Sequence, residues 1–411
     1  MKFGLFLEWP NPTMRNWKTL FEEGVQQVQY SEEMGFDYCL IAEHHFTNYG
    51  NSPAPLMQAL YIGQRTRRIN IGTASVILPV WQPLRLAEEI AVLDNLIDGR
   101  LMCGIGRGYQ GYEMAGFGSD LGESRVKFQE TFEVLLKAWT SDESFTYDGE
   151  YVRIENPVTV FPKPMQKPHP PLWISGTSVE SMELAAQHDI LPLSSSNLGM
   201  DGVKRQLGSY LQARKAMDKP IQDPSLALQC MTHVAPTDEE AMEALPYVRW
   251  QTRAQRGLNR HDVTNGAVSA TPFDGELDDE AFLDRLYFGS PETVIEKFRR
   301  AASAGATHIS NWMMFGGIEH EKLMRSIRLM GEEVIPALSD LTPPESLYDE
   351  LLTQPPVTTE ELQRARLAPT TPRAAGERSS GGLGLQLRRL RGPDSFVLGG
   401  TAARRTLPHA T

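Results

Sequence analysis

Short apolar runs alternate along this chain with longer stretches whose apolar residues recur every three or four positions. The runs are rich in Ile, Val and Leu and stay apolar on successive residues, as strands do when both faces are buried. They predict eight strands, at residues 2–7, 37–42, 69–78, 100–106, 171–175, 190–194, 226–234 and 306–311. The amphipathic stretches predict helices at 17–34, 53–65, 83–97, 123–138, 178–188, 201–216, 237–253 and 290–304, with a last one at 319–335. Ser290-Pro291-Glu292 is a helix start: a capping hydroxyl, a first-turn proline and an acid at the positive end of the dipole. Eight strands, each followed by a helix, make an α/β chain whose architecture is a (β/α)8 barrel. An open doubly wound sheet is the runner-up, and it has no reason to stop at eight.

Three segments break the alternation. Phe145 to Ile154 predicts a hairpin turning at Asp148-Gly149. A proline-rich stretch, Phe161 to Pro171, leads into the fifth strand. Residues 254–282 are polar, contain glycine and show no period, which predicts a mobile lid or disorder. The end of the chain differs again. From Thr371 onward there are seven Arg, no Lys and two acids among Gly, Ser and Pro, a composition unable to bury a core. The chain therefore divides into a barrel domain, 1–340, and a low-complexity tail, 341–411, expected to be disordered.

Composition narrows the function classes. Of 411 residues 41% are hydrophobic, enough for a large core, and the net charge is −12. An acidic balance argues against nucleic acid and against an anionic membrane surface as partners. No apolar run approaches the roughly 20 residues that span a bilayer. Met1 to Glu8 has one basic residue and reads as a first strand rather than a signal peptide. Cys39, Cys103 and Cys230 are far apart, with neither metal nor disulfide spacing, so a reducing, cytoplasmic setting is expected and no metal site.

The chemistry concentrates at strand ends, which in a parallel barrel converge on one mouth. His44-His45 follow the second strand, Thr73-Ala-Ser-Val-Ile-Leu-Pro79 the third, and Gly104-Ile-Gly-Arg107 the fourth. Gly106 to Gly111 matches G-x-G-x-x-G, but the acid that a dinucleotide site needs about 20 positions on would be Glu130, inside a helical pattern. The glycines better serve close approach to a flat ligand, with Arg107 reaching an anion. Arg125 opens the next helix. Ser175-Gly-Thr177-Ser178-Val-Glu-Ser181 opens another, where hydroxyls and the helix dipole favour negative charge. Singly, a helix cap or a solvated arginine explains each feature; together they point to one phosphate site. Glu8 and Trp9 after strand one, Ser194 after strand six, and Trp250 and Trp312 are candidates for a substrate pocket, with core packing as the rival account. His233 reads as a buried histidine.

These residues carry a resemblance. Met1-Lys-Phe-Gly4, Glu43-His-His-Phe-Thr47, Gly72 to Pro79, Gly104-Ile-Gly-Arg-Gly108, Ser124-Arg125 and, more loosely, Trp173-Ile-Ser-Gly-Thr-Ser178 followed by Ala185-Ala186 stand in the order and near the spacing of the bacterial luciferase-like flavin monooxygenases. Residues 1–340 resemble that family, the luciferase α subunit in particular. The resemblance implies a barrel that binds reduced FMN (FMNH2) delivered by a separate NAD(P)H:flavin reductase. O2 would then form a flavin C4a-(hydro)peroxide that oxygenates a small organic substrate, an aldehyde or ketone or a hydroxylation target. By position, His44 would stand beside the flavin as a catalytic base or hydrogen-bond partner, poised near neutral pH. Arg107, Arg125, Thr177, Ser178 and Ser181 would hold the phosphate. Ala74-Ser75 would form a non-proline cis peptide against the ring, with Glu43 orienting its neighbour. One position departs: Gly106 stands where the luciferase α subunit has a cysteine, which suggests more room over the ring and a substrate other than a long-chain aldehyde. The resemblance also implies a homodimer. Two alternatives remain, an F420-dependent dehydrogenase of the same superfamily and a non-catalytic partner subunit.

Overall fold

The computed structural model describes residues 1–176, 178–221, 225–355, 357–358 and 360. Its centre is a closed barrel of eight parallel strands: β1 (Lys2–Leu7), β2 (Tyr38–Ile41), β3 (Asn70–Thr73), β4 (Leu101–Gly106), β5 (Leu172–Ser175), β6 (Leu191–Ser195), β7 (Ala227–Val234) and β8 (His308–Trp312). Each pairs with the next in parallel register, and β8 returns to β1 with Lys2 opposite His308 and Phe6 opposite Trp312. Closure excludes the open doubly wound sheet. The helices on the outside are α1 (Trp17–Glu33), α2 (Pro55–Gly63), α3 (Pro83–Leu96), α4 (Ser124–Thr140), α5 (Val179–His188), α6 (Gly199–Ala216), α7 (Leu245–Asn259), α8 (Pro291–Ser303), α9 (His320–Leu329) and α10 (Glu345–Thr353). Ser290 caps α8 through Thr293 N–H, with Pro291 in the first turn.

Side chains alternate across each strand. Phe3 meets Phe298 of α8 at 5.5 Å between ring centroids, so Phe3, Leu5 and Leu7 face the helices. Gly4, Phe6 and Glu8 therefore face the barrel interior. Gly4 has no room for a side chain because the Tyr38 ring fills its place, 2.0 Å from where a Cβ would stand. That parity puts Glu8 at the mouth.

Several expectations are revised. The run 69–78 is two pieces: β3 stops at Thr73, and Val76–Ile77 pairs separately with Ile105 and Gly106 of β4. The stretch 237–253 divides into Asp238–Ala241, a tight turn at Met242–Ala244, and α7, whose first turn holds Pro246. Proline tolerates a first turn but not a helix interior, so the boundary falls there. Residues 254–282 are not a structureless loop. α7 runs to Asn259, Val263–Thr264 pairs with Ala267–Val268, and Asp279–Leu283 is a short helix. Asn265 and Gly266 both have positive φ, 50° and 79°, the turn that suits a two-residue hairpin. Arg249 and Arg253 of α7 both bind Glu276 and fasten the rest of the segment.

The hairpin expected near Asp148-Gly149 forms between Phe145–Asp148 and Arg153–Val158. Glu130 of α4 is its anchor: the carboxylate accepts the N–H groups of Glu150, Tyr151 and Val152 at 2.6, 2.9 and 2.8 Å. The proline-rich stretch is held at Gln166, which donates to the buried Asp94 carboxylate through its backbone and its side chain. Residues 361–411, most of the expected tail, lie outside the described residues. Within the described part, however, α10 follows residue 340. It buries Leu347 and Leu351, with Leu351 3.8 Å from the Cβ position of Gly208 on α6.

A chain ending at residue 340 loses those two leucines and the bond from the Met1 ammonium to the Leu341 carbonyl. It should lose about 2–5 kcal/mol of stability by thermal or urea unfolding, whereas a chain ending at residue 360 keeps them and should unfold like the full chain.

Candidate active site

The mouth is organised by three buried carboxylates. His44 leaves the end of β2 pointing inward and sits between two of them. Its Nδ1 is 2.9 Å from Glu113 Oε1, in the short helix Gly111–Gly116, and its Nε2 is 3.0 Å from Glu8 Oε1, at the end of β1. Glu113 Oε1 also accepts the His45 backbone N–H at 3.0 Å. Glu8 Oε2 accepts from Gln251 of α7 at 2.9 Å, and Gln251 in turn takes the Gly316 N–H after β8. His44, Glu8 and Glu113 are all less than a tenth exposed. Tyr49 lies edge-on to the His44 ring at 4.9 Å, and Tyr109 at 6.3 Å.

This clamp fixes the protonation of His44. Burial lowers the affinity of the imidazole for a proton, but the charge and hydrogen bond of Glu113 and the hydrogen bond of Glu8 outweigh it. They raise the pKa well above the usual histidine value. Burial likewise pushes the Glu8 carboxyl up, with the His44 hydrogen bond and charge opposing that rise. The pair of carboxylates thus favours the protonated form of His44, whose two ring nitrogens are both directed at them.

Glu43 is the third carboxylate, and the neighbour that it orients is His45. Oε1 meets His45 Nε2 at 3.0 Å and accepts from Trp81 Nε1 at 2.9 Å, while Oε2 accepts the Ile77 N–H at 2.6 Å. Glu43 thereby braces the segment that follows β3. The Ala74–Ser75 peptide in that segment is cis. Thr73 Oγ1 fastens the same strand end to Gly104 through both its N–H and its carbonyl.

The anion-binding candidates come together. The β4–β5 register sets Gly106 opposite Ser175, so Arg107 emerges beside Gly176. Arg107 is exposed, and among the described residues no carboxylate pairs with it. Ser178 caps α5, accepting the Ser181 N–H at 3.3 Å, and the two hydroxyls are 3.1 Å apart. Arg125 at the start of α4 reaches the same helix end, 3.4 Å from Glu180, with both side chains about half exposed. Thr177 lies outside the described residues. Gly106 does not enlarge the mouth: a Cβ there would lie 2.9 Å from Ser75 Cβ and Oγ, so Ser75 fills the space.

The pocket candidates separate. Trp9 is buried in the helix layer, its indole against Gly24 and edge-on to Phe21 of α1, away from the mouth. Ser194 donates to Gln206 of α6 at 2.6 Å and is likewise in the helix layer. Trp312 stands inside the barrel, edge-on to Phe6 at 5.3 Å, its N–H donated to the Met314 carbonyl. Trp250 packs on a small second core of Tyr49, Ala254, Leu258 and Val268, which links α7 to the ring beside His44. Gln255 of α7 donates to the Tyr109 hydroxyl at 3.1 Å, a second contact from α7 to the mouth. His233 is buried, and burial lowers its pKa to about 4, consistent with a neutral core histidine. Sequence alone missed Glu113, Tyr109, Gln251 and Gln255. No local pattern marks them; the parity of β1 is a signal only for Glu8.

Comparison with known proteins places the chain in a family. Residues 1–308 match the family model of the luciferase-like monooxygenases, and the chain belongs to that family. It is 26% identical over 357 residues to the oxygenase component of the flavin-dependent trigonelline monooxygenase of Acinetobacter baylyi, covering 83% of this chain and 96% of that one. It is 26% identical over 368 residues to an alkanal monooxygenase alpha chain of Photorhabdus luminescens, covering 83% and 98%. The fold matches the oxygenating constituent of 3,6-diketocamphane monooxygenase from Pseudomonas putida, solved in complex with FMN, with TM-score 0.70 and 23% identity over 84% and 99% of the two chains. No helix among the described residues is long and apolar enough to cross a membrane.

The clamp gives a signed pH dependence. A histidine whose native pKa is raised stabilises the fold fully below its unfolded value, about 6.5, and that stabilisation is lost as pH rises through the native value. Glu113→Gln should move the His44 imidazole titration to lower pH in NMR and begin the alkaline loss of stability earlier. Glu43→Gln should leave that titration in place.

Proposed function

We propose that this chain is the oxygenase component of a two-component flavin monooxygenase. It would bind reduced FMN from a separate NAD(P)H:flavin reductase and oxygenate a small organic substrate. The observation that carries this reading is the Glu8–His44–Glu113 clamp, set across the mouth from Arg107, which pairs with no carboxylate among the described residues, and the hydroxyl-capped start of α5. The donors suit a phosphate monoester: an exposed guanidinium, two hydroxyls and a helix N-terminus. Arg107, Ser178 and Ser181 would hold the phosphate with Arg125 at the rim, and Ala74, Ser75 and Gly106 would face the ring. When bound, reduced flavin supplies the electrons that activate O2.

The chain's own residues do the rest. His44 holds a proton at Nε2 against Glu8 and another at Nδ1 against Glu113, so its role is that of a cation and proton reserve beside the ring. A fixed positive charge in a poorly solvated mouth stabilises negative charge developing on oxygen or on the substrate. Gln251 and Gln255 tie α7 down at the mouth, and the segment to Leu283 would exclude water from it. Exposed Met57 and Tyr61 of α2 and Val92 and Leu96 of α3 offer an apolar face for a homodimer.

Anaerobic titration tests the reading. The protein should bind FMNH2, and Arg107→Ala should weaken binding at least about tenfold while riboflavin, which lacks the phosphate, is unaffected. Rapid mixing of the complex with O2 should give a long-lived oxygenated flavin whose lifetime shortens in His44→Ala. Binding of F420 in preference to FMNH2 would replace this reading with a hydride-transferring dehydrogenase. Flavin binding without turnover by the purified chain, given its reductase, would make it a partner subunit.

A further inference from the structure

Two hydroxyls close the wall of the mouth between β3 and β5. Ser75 Oγ donates to Ser175 Oγ at 2.7 Å. Ser175 is exposed and Ser75 half-buried, so the pair is open to the mouth. Gly106 stands between them, opposite Ile77 on one side and Ser175 on the other. A side chain at 106 would collide with Ser75 at 2.9 Å, against both Cβ and Oγ. Serine is too short to swing clear at its far end, so positions 75 and 106 compete for one volume.

The direction of the bond leaves a donor over. A hydroxyl carries one hydrogen and two acceptor positions. Ser75 spends its hydrogen on Ser175, which keeps its own, and a hydroxyl that already accepts is a better donor. Among the described residues no acceptor takes that hydrogen.

We propose that Ser175, oriented by Ser75, donates a hydrogen bond to a ring carbonyl of the bound flavin, and that position 106 must lack a side chain so that Ser75 can hold this place. The inference rests on the flavin reading above. Ser175 is then a cofactor-binding residue and Ser75 a positioning residue. Together they make a ring contact independent of the phosphate end.

Riboflavin and FMN, titrated against the full chain, test it. Ser175→Ala and Ser75→Ala should each weaken both flavins by about the same factor, on the order of tenfold. Arg107→Ala, in contrast, should weaken FMN alone. The visible absorption bands of bound flavin should shift in both serine variants, because a hydrogen bond to a ring carbonyl perturbs the chromophore; a purely structural role would not move them. Gly106→Ala should weaken riboflavin and lower the melting temperature, and Ser75→Gly should relieve that thermal loss. The proposal is overturned if Ser175→Ala leaves riboflavin affinity and the bound spectrum unchanged, or if Gly106→Ala is tolerated beside Ser75. Should the folded wild-type chain bind neither flavin, the flavin reading fails and this inference with it.

Discussion

A carboxylate inside a protein must be answered by donors or cations, because the cost of leaving it unpaired is several kcal/mol. The mouth of this barrel is built around that constraint. Glu8 and Glu113 are answered by one imidazole, Glu43 by an imidazole, an indole and a backbone N–H. Each carboxylate thereby links segments that are distant in sequence. Glu43 joins the ends of β2 and β3, Glu113 brings the loop after β4 onto the end of β2, and Glu8 draws in α7 through Gln251. The geometry at the mouth follows from these obligations more than from the loops' own preferences.

The same constraint shapes the chemistry. A histidine with both nitrogens directed at carboxylates is a poor acceptor and a stable cation. It is suited to holding charge and protons in place rather than removing a proton from substrate. The side of the mouth that carries Arg107 has the opposite character. Arg107 is exposed and lacks a carboxylate partner among the described residues, and the α5 start offers hydroxyls and backbone donors near solvent. One side of the mouth is thus satisfied internally, while the other keeps donors exposed.

Much of the fold was legible because buried parallel strands announce themselves as apolar runs. All eight barrel strands lie within a residue or two of their expected limits, apart from the run at 69–78, which the Glu43 brace splits. Candidate residues were legible where they depend on position along one strand end: His44, Arg107 and the Ser178 cap are local features. The hairpin at Asn265-Gly266 carried a local signal that the polarity of its surroundings masked. Helix α10 escaped notice because its two core contacts, Leu347 and Leu351, lie close to a stretch whose Gly, Ser, Pro and Arg composition carries no apolar period.

By itself the sequence determined the number and order of the barrel strands, the barrel class and which residue types stand at the strand ends, since apolar periodicity and turn chemistry are local properties. Only the tertiary structure decided what those residues do. Glu113 lies 69 positions from His44, Glu43 serves His45 and not His44, Trp9 turns into the helix layer, and Ser75 occupies the space that Gly106 vacates. Each of these depends on which segments meet when the barrel closes, and no local pattern carries that information.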